Sequence, residues 1–380
     1  MLNLPQKEDI QKKIFNGQSI SREEASYLHQ ECSFLELGQL ANSIREKQNP
    51  GKVVTYLVDR NINYTNVCNS DCSFCAFYRH DPKHPDSYVL SKEQLSKKIE
   101  ETIELGGSRI LLQGGHNDQL PYDFYVDMIS WIHDKYKIEL NAFSPSEIQQ
   151  MNKVSGKSPE EILKELKQAG LTGLPGGGAE ILDDEVRKRV SPKKIKADEW
   201  IEIMEVAQNL ELVTTGSMVI GFGESFENRM NHLDRLRNLQ QRTLDKGLKG
   251  FNMFISWTLQ SNENTSMGRS RHSDKYKVSA VEYLKNIALC RIYLNNIQHH
   301  QSSWPTLGPE IAQIGLNFGC DDIGSTMMEE NVVSQAGGYT KGHWFMSPEA
   351  LRGYIQGAGY TAAQRNSKCE VLKVFKNNSD

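Results

Sequence analysis

Residues 64–79 read YTNVCNSDCSFCAFYR, an aromatic-flanked stretch that sets Cys68, Cys72 and Cys75 in the spacing CxxxCxxC. Three thiols within eight positions are an odd number for disulfides and one short of the four ligands that close a tetrahedral zinc site. Soft thiolates on one tight loop converge on a single centre, either zinc or an iron-sulfur cluster. Zinc would need a ligand from outside the triad, for which His80 is the candidate. A cubane cluster held by three thiolates keeps one iron free of protein and open to a small molecule. The remaining cysteines, Cys32, Cys290, Cys320 and Cys369, stand alone and are expected to pack as small apolar residues or lie at the surface.

Around this loop, short apolar or β-branched runs alternate with amphipathic stretches that open with Ser, Pro or Asp, the rhythm of parallel βα units. A strand is predicted to end near Cys68, and others to run over 109–115, 138–144, 170–180, 212–221, 251–258, 299–306 and 321–328. Helical stretches such as SKEQLSKKIEETIEL and ADEWIEIMEVAQNL lie between them. Eight such units close most simply into an α/β fold of the (β/α)8 TIM type. The organisation expected is a helical lead-in over 1–49, where Ser21 and Glu24 make a capping-box pair, the barrel over 50–330, and a C-terminal helix and tail over 331–380 that complete it.

The 380 residues are 38% hydrophobic with a formal net charge of -4 and a pI near 6.2, which gives a full core without the basic footprint of a nucleic-acid binder. No stretch approaches the roughly 18 apolar residues of a membrane-spanning helix, and MLNLPQKEDIQKKIF lacks the apolar centre of a signal peptide. With so few cysteines, the expectation is a cytoplasmic chain that acts on a small molecule and binds neither nucleic acid nor membrane.

In such barrels the loops at the C-terminal strand ends converge on one opening. The unusual residues fall there. The cysteine loop follows the first strand, Gly114 and Gly115 the second, Ser144 the third and Glu180 the fourth, while Trp257, Trp304 and Glu329 follow the sixth, seventh and eighth.

The cysteine spacing, with Phe74 just before the third thiol, resembles the radical SAM superfamily. The segments CSFCAFYR, NAFSPSEI, GLPGGGAEILDDEVRKRVSPKK, FISWTLQSNENTSMGR and DDIGSTMMEENVVSQAGG extend the resemblance over most of residues 50–380. Within the superfamily they are similar to the cyclic dehypoxanthine futalosine synthases of menaquinone formation. Aminofutalosine synthases and the tyrosine-using enzymes of deazaflavin (FO) synthesis are related families. The resemblance implies a radical SAM (β/α)8 barrel, a [4Fe-4S] cluster on Cys68, Cys72 and Cys75, and S-adenosyl-L-methionine on the open iron. It implies that Tyr78, Gly114, Gly115, Ser144, Glu180 and Lys194 surround that cofactor: the glycines at its amine, Glu180 at its ribose hydroxyls, and Lys194 or its rival Arg187 at its carboxylate.

The implied reaction takes hydrogen from the ribose 4′ carbon of dehypoxanthine futalosine with a 5′-deoxyadenosyl radical and closes the resulting carbon radical onto the attached benzoate ring. The implied partners are this small-molecule substrate and a reducing electron donor of the flavodoxin or ferredoxin type. Ring closure within one molecule asks for a held conformer, hence aromatic walls and a carboxylate anchor. Trp257, Trp304 and Phe143 are the expected walls, Gln260, Arg269 and Thr306 the polar contacts, and Glu329 or its neighbour Glu330 the acceptor of the ring proton. Of His299 and His300 at most one is expected to face inward, because alternate strand side chains point oppositely. Asn141 departs from the family pattern, which often has His there, as does Phe222-Gly223-Glu224. A non-catalytic zinc or iron-sulfur protein is the alternative of another class.

Overall fold

The computed structural model describes residues 7–340 and 345–376. Three helices, Lys7–Phe15, Arg22–Glu31 and Phe34–Gln48, form the expected lead-in. Its capping box is present: Ser21 Oγ accepts the Glu24 N–H at 3.2 Å, and Glu24 Oε2 accepts the Ser21 N–H at 2.8 Å. The third helix buries Leu37, Leu40, Ala41 and Ile44 and packs against the helix Ala280–Tyr293 of the barrel wall.

One sheet then accounts for eleven strands among the described residues. They are β1 (Val53–Leu57), β2 (Asp59–Asn63), β3 (Arg109–Gln113), β4 (Glu139–Ala142), β5 (Gly173–Leu174), β6 (Val213–Ile220), β7 (Phe251–Thr258), β8 (His299–Ser302), β9 (Asp322–Ser325), β10 (Thr361–Arg365) and β11 (Val371–Phe375). From β2 to β9 consecutive strands pair in parallel, and β9 pairs in parallel with β1. Because β1 and β2 are one extended run interrupted only at Val58, the sheet returns to its own first strand. The Thr326 N–H donates to Leu57 O at 3.0 Å and the Met328 N–H to Asp59 O at 3.3 Å, which carries the seam up along β2. The result is the eight-unit parallel barrel expected from the sequence, with helices outside.

The boundaries differ in instructive places. The first strand ends at Asn63 rather than near Cys68, since Thr65 and Val67 leave the ladder for single bridges to Val89 and Arg79. β5 keeps two residues: a Cβ on Gly173 would stand 2.7 Å from both Asn141 Oδ1 and Val213 O. β8 stops at Ser302 because Pro305 opens the short helix Trp304–Leu307. After the helix Pro348–Gly357, the expected tail is a hairpin: β10 runs parallel to β1, and β11 runs antiparallel to β10.

Period-two alternation divides the barrel strands. Ile62, Ile110, Leu112, Leu140 and Ala142 are fully buried, while Asn61, Asn63, Arg109, Leu111, Gln113 and Asn141 line a central cavity. The hairpin closes the lower, N-terminal mouth of the barrel. Its loop lays the Ser367 N–H on Glu139 Oε2 of β4 at 2.9 Å and takes Asn252 of β7 onto Ser367 O. Arg365 grips the buried Asp322 of β9 through two hydrogen bonds of 2.6 and 3.1 Å. No described helix is long and apolar enough to cross a membrane.

Removing one partner of a buried ion pair leaves the other charge stranded. Arg365→Ala, which leaves Asp322 only Thr55 and the Gly324 N–H among its present partners, is expected to cost about 3 kcal/mol, read as a lower urea midpoint at unchanged slope. The pair Asp322→Asn with Arg365→Met should recover most of that loss. A single variant as stable as the parent would detach the hairpin from barrel stability.

Candidate active site

The loop between β2 and the helix Lys92–Glu104 carries the three cysteines, and main-chain bonds within it and to neighbouring elements hold it. Cys68 N–H donates to Arg79 O at 2.9 Å, Asn69 N–H to His116 O at 3.0 Å, Ser73 N–H to Val190 O at 2.9 Å, and Met267 N–H to Ser73 O at 3.0 Å. The turn after β3 presses against it. A Cβ on Gly115 would stand 2.2 Å from Val67 O and 2.8 Å from Cys68 Cβ, and one on Gly114 would stand 2.5 Å from the Tyr64 ring. The close approach that demands glycine here is therefore to the cysteine loop itself, whatever else the turn meets.

Cys68, Cys72 and Cys75 all line the upper end of the central cavity, with Phe74 between the last two. Burial pushes the Cys72 thiol up to about 12, against the opposing pull of Lys194. Burial also raises Cys75, although the N–H groups of Phe77 and Tyr78 favour its thiolate. His80, the ligand a Cys3His zinc site would need, directs Nδ1 to Cys68 O at 2.9 Å and Nε2 to Asp71 at 2.8 Å. Among the described residues no three His, Cys, Asp or Glu side chains are grouped to hold a single metal ion. A cubane asks something different, one thiolate for each of three separate irons, and the triad, which lines one cavity with Cys72 buried and Cys68 and Cys75 half-buried, fits that group.

Beside the triad, Lys194 Nζ lies 2.8 Å from Glu180 Oε1 and 5.7 Å from the Phe74 ring centre. Burial works against the Lys194 ammonium, but Cys72 and Glu180 outweigh it and hold its pKa above the ordinary value. Arg187 does not line the cavity. Its guanidinium is bonded to the carbonyls of Gly178, Ala179 and Ile195 and acts as a strap under the glycine run. Glu180 adopts φ +42°, and Phe143 and Met327 adopt φ +66° and +43°. All three lie on loops that leave the C-terminal strand ends, Phe143 and Met327 directly after β4 and β9 and Glu180 on the glycine-rich loop after β5, where backbone strain is commonly stored.

Two buried groups here escaped the sequence reading. Glu147 accepts from Tyr64 OH at 2.8 Å, the Gly114 N–H at 2.9 Å and Ser144 Oγ at 2.8 Å, tying the ends of β2, β3 and β4 together. Burial raises its pKa from 4.5 to about 7 against those donors. His116 meets Ser70 of the cysteine loop through Nδ1 at 3.0 Å, and burial lowers its pKa to about 3, so the ring is neutral. The only sequence trace of Glu147 was its position three residues after Ser144, the spacing of an N-cap and its N3 partner.

Of the remaining expected residues, Tyr78, Ser144, Trp257 and Gln260 line the cavity, whose volume is about 340 Å³. Trp304 and Thr306 do not. Trp304 is fully buried in the short helix after β8, its Nε1–H donating to Ser325 O at 2.8 Å, and Thr306 lies on the same turn. Glu329 is also displaced: Arg60 and Lys98 hold it at 3.0 and 2.5 Å outside the cavity lining. Its neighbour Glu330 faces the cavity instead, with Oε2 accepting the Val333 and Ser334 N–H groups at 2.6 and 3.2 Å. Burial raises the Glu330 pKa to about 7. Phe143 packs edge-on to Tyr64 and Tyr125, Arg269 binds carbonyls of its own loop, and neither His299 nor His300 lines the cavity.

A carboxyl whose folded pKa lies above its unfolded value makes the native state bind more protons between the two, so stability falls as pH rises through that window. For Glu147 the window runs from 4.5 to about 7. The shift corresponds to roughly 3 kcal/mol. The contribution is read as the difference between the cluster-free protein and its Glu147→Gln variant in denaturant titrations, since the parent profile also carries Glu330 with the same sign and His116 with the opposite one. That difference is expected to decline from about pH 5 to pH 7, and a difference that does not change with pH would remove Glu147 as a source.

Comparison with known proteins agrees with this geometry. Residues 62–236 match the radical SAM superfamily, and residues 248–378 match the CofH/MqnC C-terminal region. The chain is 43% identical to a cyclic dehypoxanthine futalosine synthase of Halalkalibacterium halodurans, covering 97% of this chain and 95% of that protein. It is 36% identical to the enzyme of the same name from Streptomyces coelicolor (94% and 87%). A 5-amino-6-(D-ribitylamino)uracil–L-tyrosine 4-hydroxyphenyl transferase of Archaeoglobus fulgidus is 37% identical (88% and 93%). Among solved structures, methylornithine synthase shares the fold with TM-score 0.70 at 16% identity (92% and 96%). The FeFe-hydrogenase maturase HydG from Carboxydothermus hydrogenoformans shares it with TM-score 0.70 at 19% identity (94% and 80%).

Proposed function

Since the chain belongs to the radical SAM superfamily and carries the CofH/MqnC C-terminal region, we propose that it closes dehypoxanthine futalosine to its cyclic, spiro-fused product in menaquinone formation. It is a radical SAM enzyme, with a [4Fe-4S] cluster and S-adenosylmethionine as cofactors. The observation that carries the proposal is that the cysteine triad and the barrel interior open into one cavity, so that cofactor and substrate would share a single space. Its volume is within the roughly 300–1,000 Å³ of small-molecule sites.

When bound, the cluster and S-adenosylmethionine supply a one-electron cleavage that yields a hydrogen-abstracting adenosyl radical. The protein's residues do the rest. Cys68, Cys72 and Cys75 would hold three irons. The Gly114–Gly115 turn would meet the methionyl amine, Lys194 the methionyl carboxylate and Glu180 the ribose hydroxyls, with Tyr78 and Ser144 beside them. Lys194 is pre-positioned by Glu180, so its long side chain loses little further freedom on binding. The electron would come from a flavodoxin- or ferredoxin-type donor in the reducing cytoplasm, where thiols stay free for cluster assembly.

Ring closure within one molecule gains most from a single held conformer. Trp257 offers a wall whose Nε1 is buried without a partner, and Gln260 lies close by on the loop after β7. Glu330 is the acceptor of the ring proton in this reading, and the electron lost with that proton would return to the oxidised cluster, so that the substrate gives up one hydrogen atom, one proton and one electron. The two hydrogen bonds of Glu330 to main-chain N–H groups fall on Oε2, the residue lines the cavity, and its pKa of about 7 suits a base at neutral pH.

The test is anaerobic reconstitution with iron and sulfide, then dithionite, S-adenosylmethionine and dehypoxanthine futalosine. Expected are 5′-deoxyadenosine and a product two hydrogens lighter than the substrate. Glu330→Gln should lower kcat for product about 100-fold while deoxyadenosine still forms. Deoxyadenosine with an unchanged substrate would contradict the cyclase. Reaction of tyrosine with a diaminouracil would instead favour the activity named for the archaeal relatives.

A further inference from the structure

The cavity extends well below the cofactor cradle. Along β3 its lining continues from Gln113 through Leu111 to Arg109 at the bottom of the strand, about 13 Å at the usual rise per residue. Two cationic side chains line it among the described residues: Lys194, paired with Glu180 near the cysteines, and Arg109 at the far end. Arg109 is held from one side. Its Nε, at 3.1 Å, and its Nη2 both donate to Oδ2 of the fully buried Asp59, which is not part of the lining. The pair fixes the guanidinium plane and leaves Nη1 unbonded within the described residues. One strand away, at the level of Leu111 and so above Arg109, the 6%-exposed Asn61 lines the cavity with its Oδ1 buried and, among the described residues, with no side-chain hydrogen bond, so that its Nδ2 is free to donate.

A buried amide without a partner, above a guanidinium fixed in plane with one nitrogen free, is costly for a core, and its Nδ2 together with Arg109 Nη1 offers two donors to a group that only accepts, such as a carboxylate. A planar anion with an apolar body matches this end of the cavity: Leu111 offers an apolar face above Arg109, and Asn61 and Asn141 flank it at the same level. We propose that Arg109 and Asn61 form a subsite for the aryl carboxylate of the substrate. This rests on the reading of the substrate as a benzoate-bearing nucleoside. The subsite orients the molecule: its carboxylate points down the barrel, the aryl ring lies beside Leu111, and the ribose is held up toward the cysteines. Arg109 is thus a specificity residue, and its distance from the cysteines selects for substrate length.

The test is a binding comparison between the substrate acid and its methyl ester, by equilibrium ultrafiltration of the anaerobic, cluster-loaded protein. The parent protein should prefer the acid by roughly 10- to 100-fold. Arg109→Gln made together with Asp59→Asn, so that no lone carboxylate is left buried, should bind acid and ester equally while melting cooperatively near the parent temperature. Asn61→Ala, which disturbs no ion pair, should reduce the preference about threefold and keeps the proposal open to test if the double variant fails to fold. An undiminished preference in the folded variants would overturn the subsite. So would a parent protein that converts the acid and binds acid and ester alike, with the cyclase reading left standing. A parent protein that neither binds nor converts the acid would overturn both.

Discussion

The Gly115 turn and the cysteine loop touch so closely that a single methyl group cannot be inserted between them, since its carbon would lie 2.2 Å from the Val67 carbonyl oxygen. The position of three thiols depends on this contact. The loop has little regular structure of its own, only two isolated bridges at its base, and it takes its shape from what it leans on: the β3 turn, the Val190 carbonyl and the Met267 amide. Glu147 stands behind the turn and joins the ends of three strands through one carboxyl group. Barrel closure fixes those ends, so the barrel positions the thiols through a chain of contacts from β2, β3 and β4.

Charge at the mouth is arranged in the same economical way. Among the described residues that line the cavity, Lys194 is the cation beside the triad, and Glu180 holds it there. With burial raising Cys72 and Cys75, the thiols surrender protons when metal binds, so assembly of the site is coupled to pH. Glu147 and Glu330 both titrate near neutrality through burial. The strained residues Glu180 and Phe143 lie on the loops that leave β5 and β4.

Much of this was legible in the sequence because it is local. CxxxCxxC is a spacing on one loop, and alternating strand and helix patterns report a barrel whose closure needs no further signal. The hairpin β10–β11 was hidden, since its exposed β11 (Val371, Leu372 and Val374 are each about half exposed) lacks the apolar alternation of a strand buried on one face. Glu329 and Glu330 are adjacent and chemically alike; only Arg60 and Lys98, which are 269 and 231 residues away along the chain, decide which of them faces outward. Trp304 seemed a wall because it follows a strand, but Pro305 turned it into a helix and into the core. His116 and Glu147 became visible only as buried polar groups, a property that sequence does not display.

The most direct test of this account is Gly115→Ala, followed by iron and sulfide analysis and electron paramagnetic resonance of the reduced protein before and after S-adenosylmethionine. If the contact between turn and loop sets the thiols, the variant keeps its circular dichroism and cooperative melting but binds substoichiometric iron, with a weakened or absent spectral response to S-adenosylmethionine. A folded variant with a full cluster and the parent's response would contradict it, and would mean that the cysteine loop holds its geometry without the barrel's help.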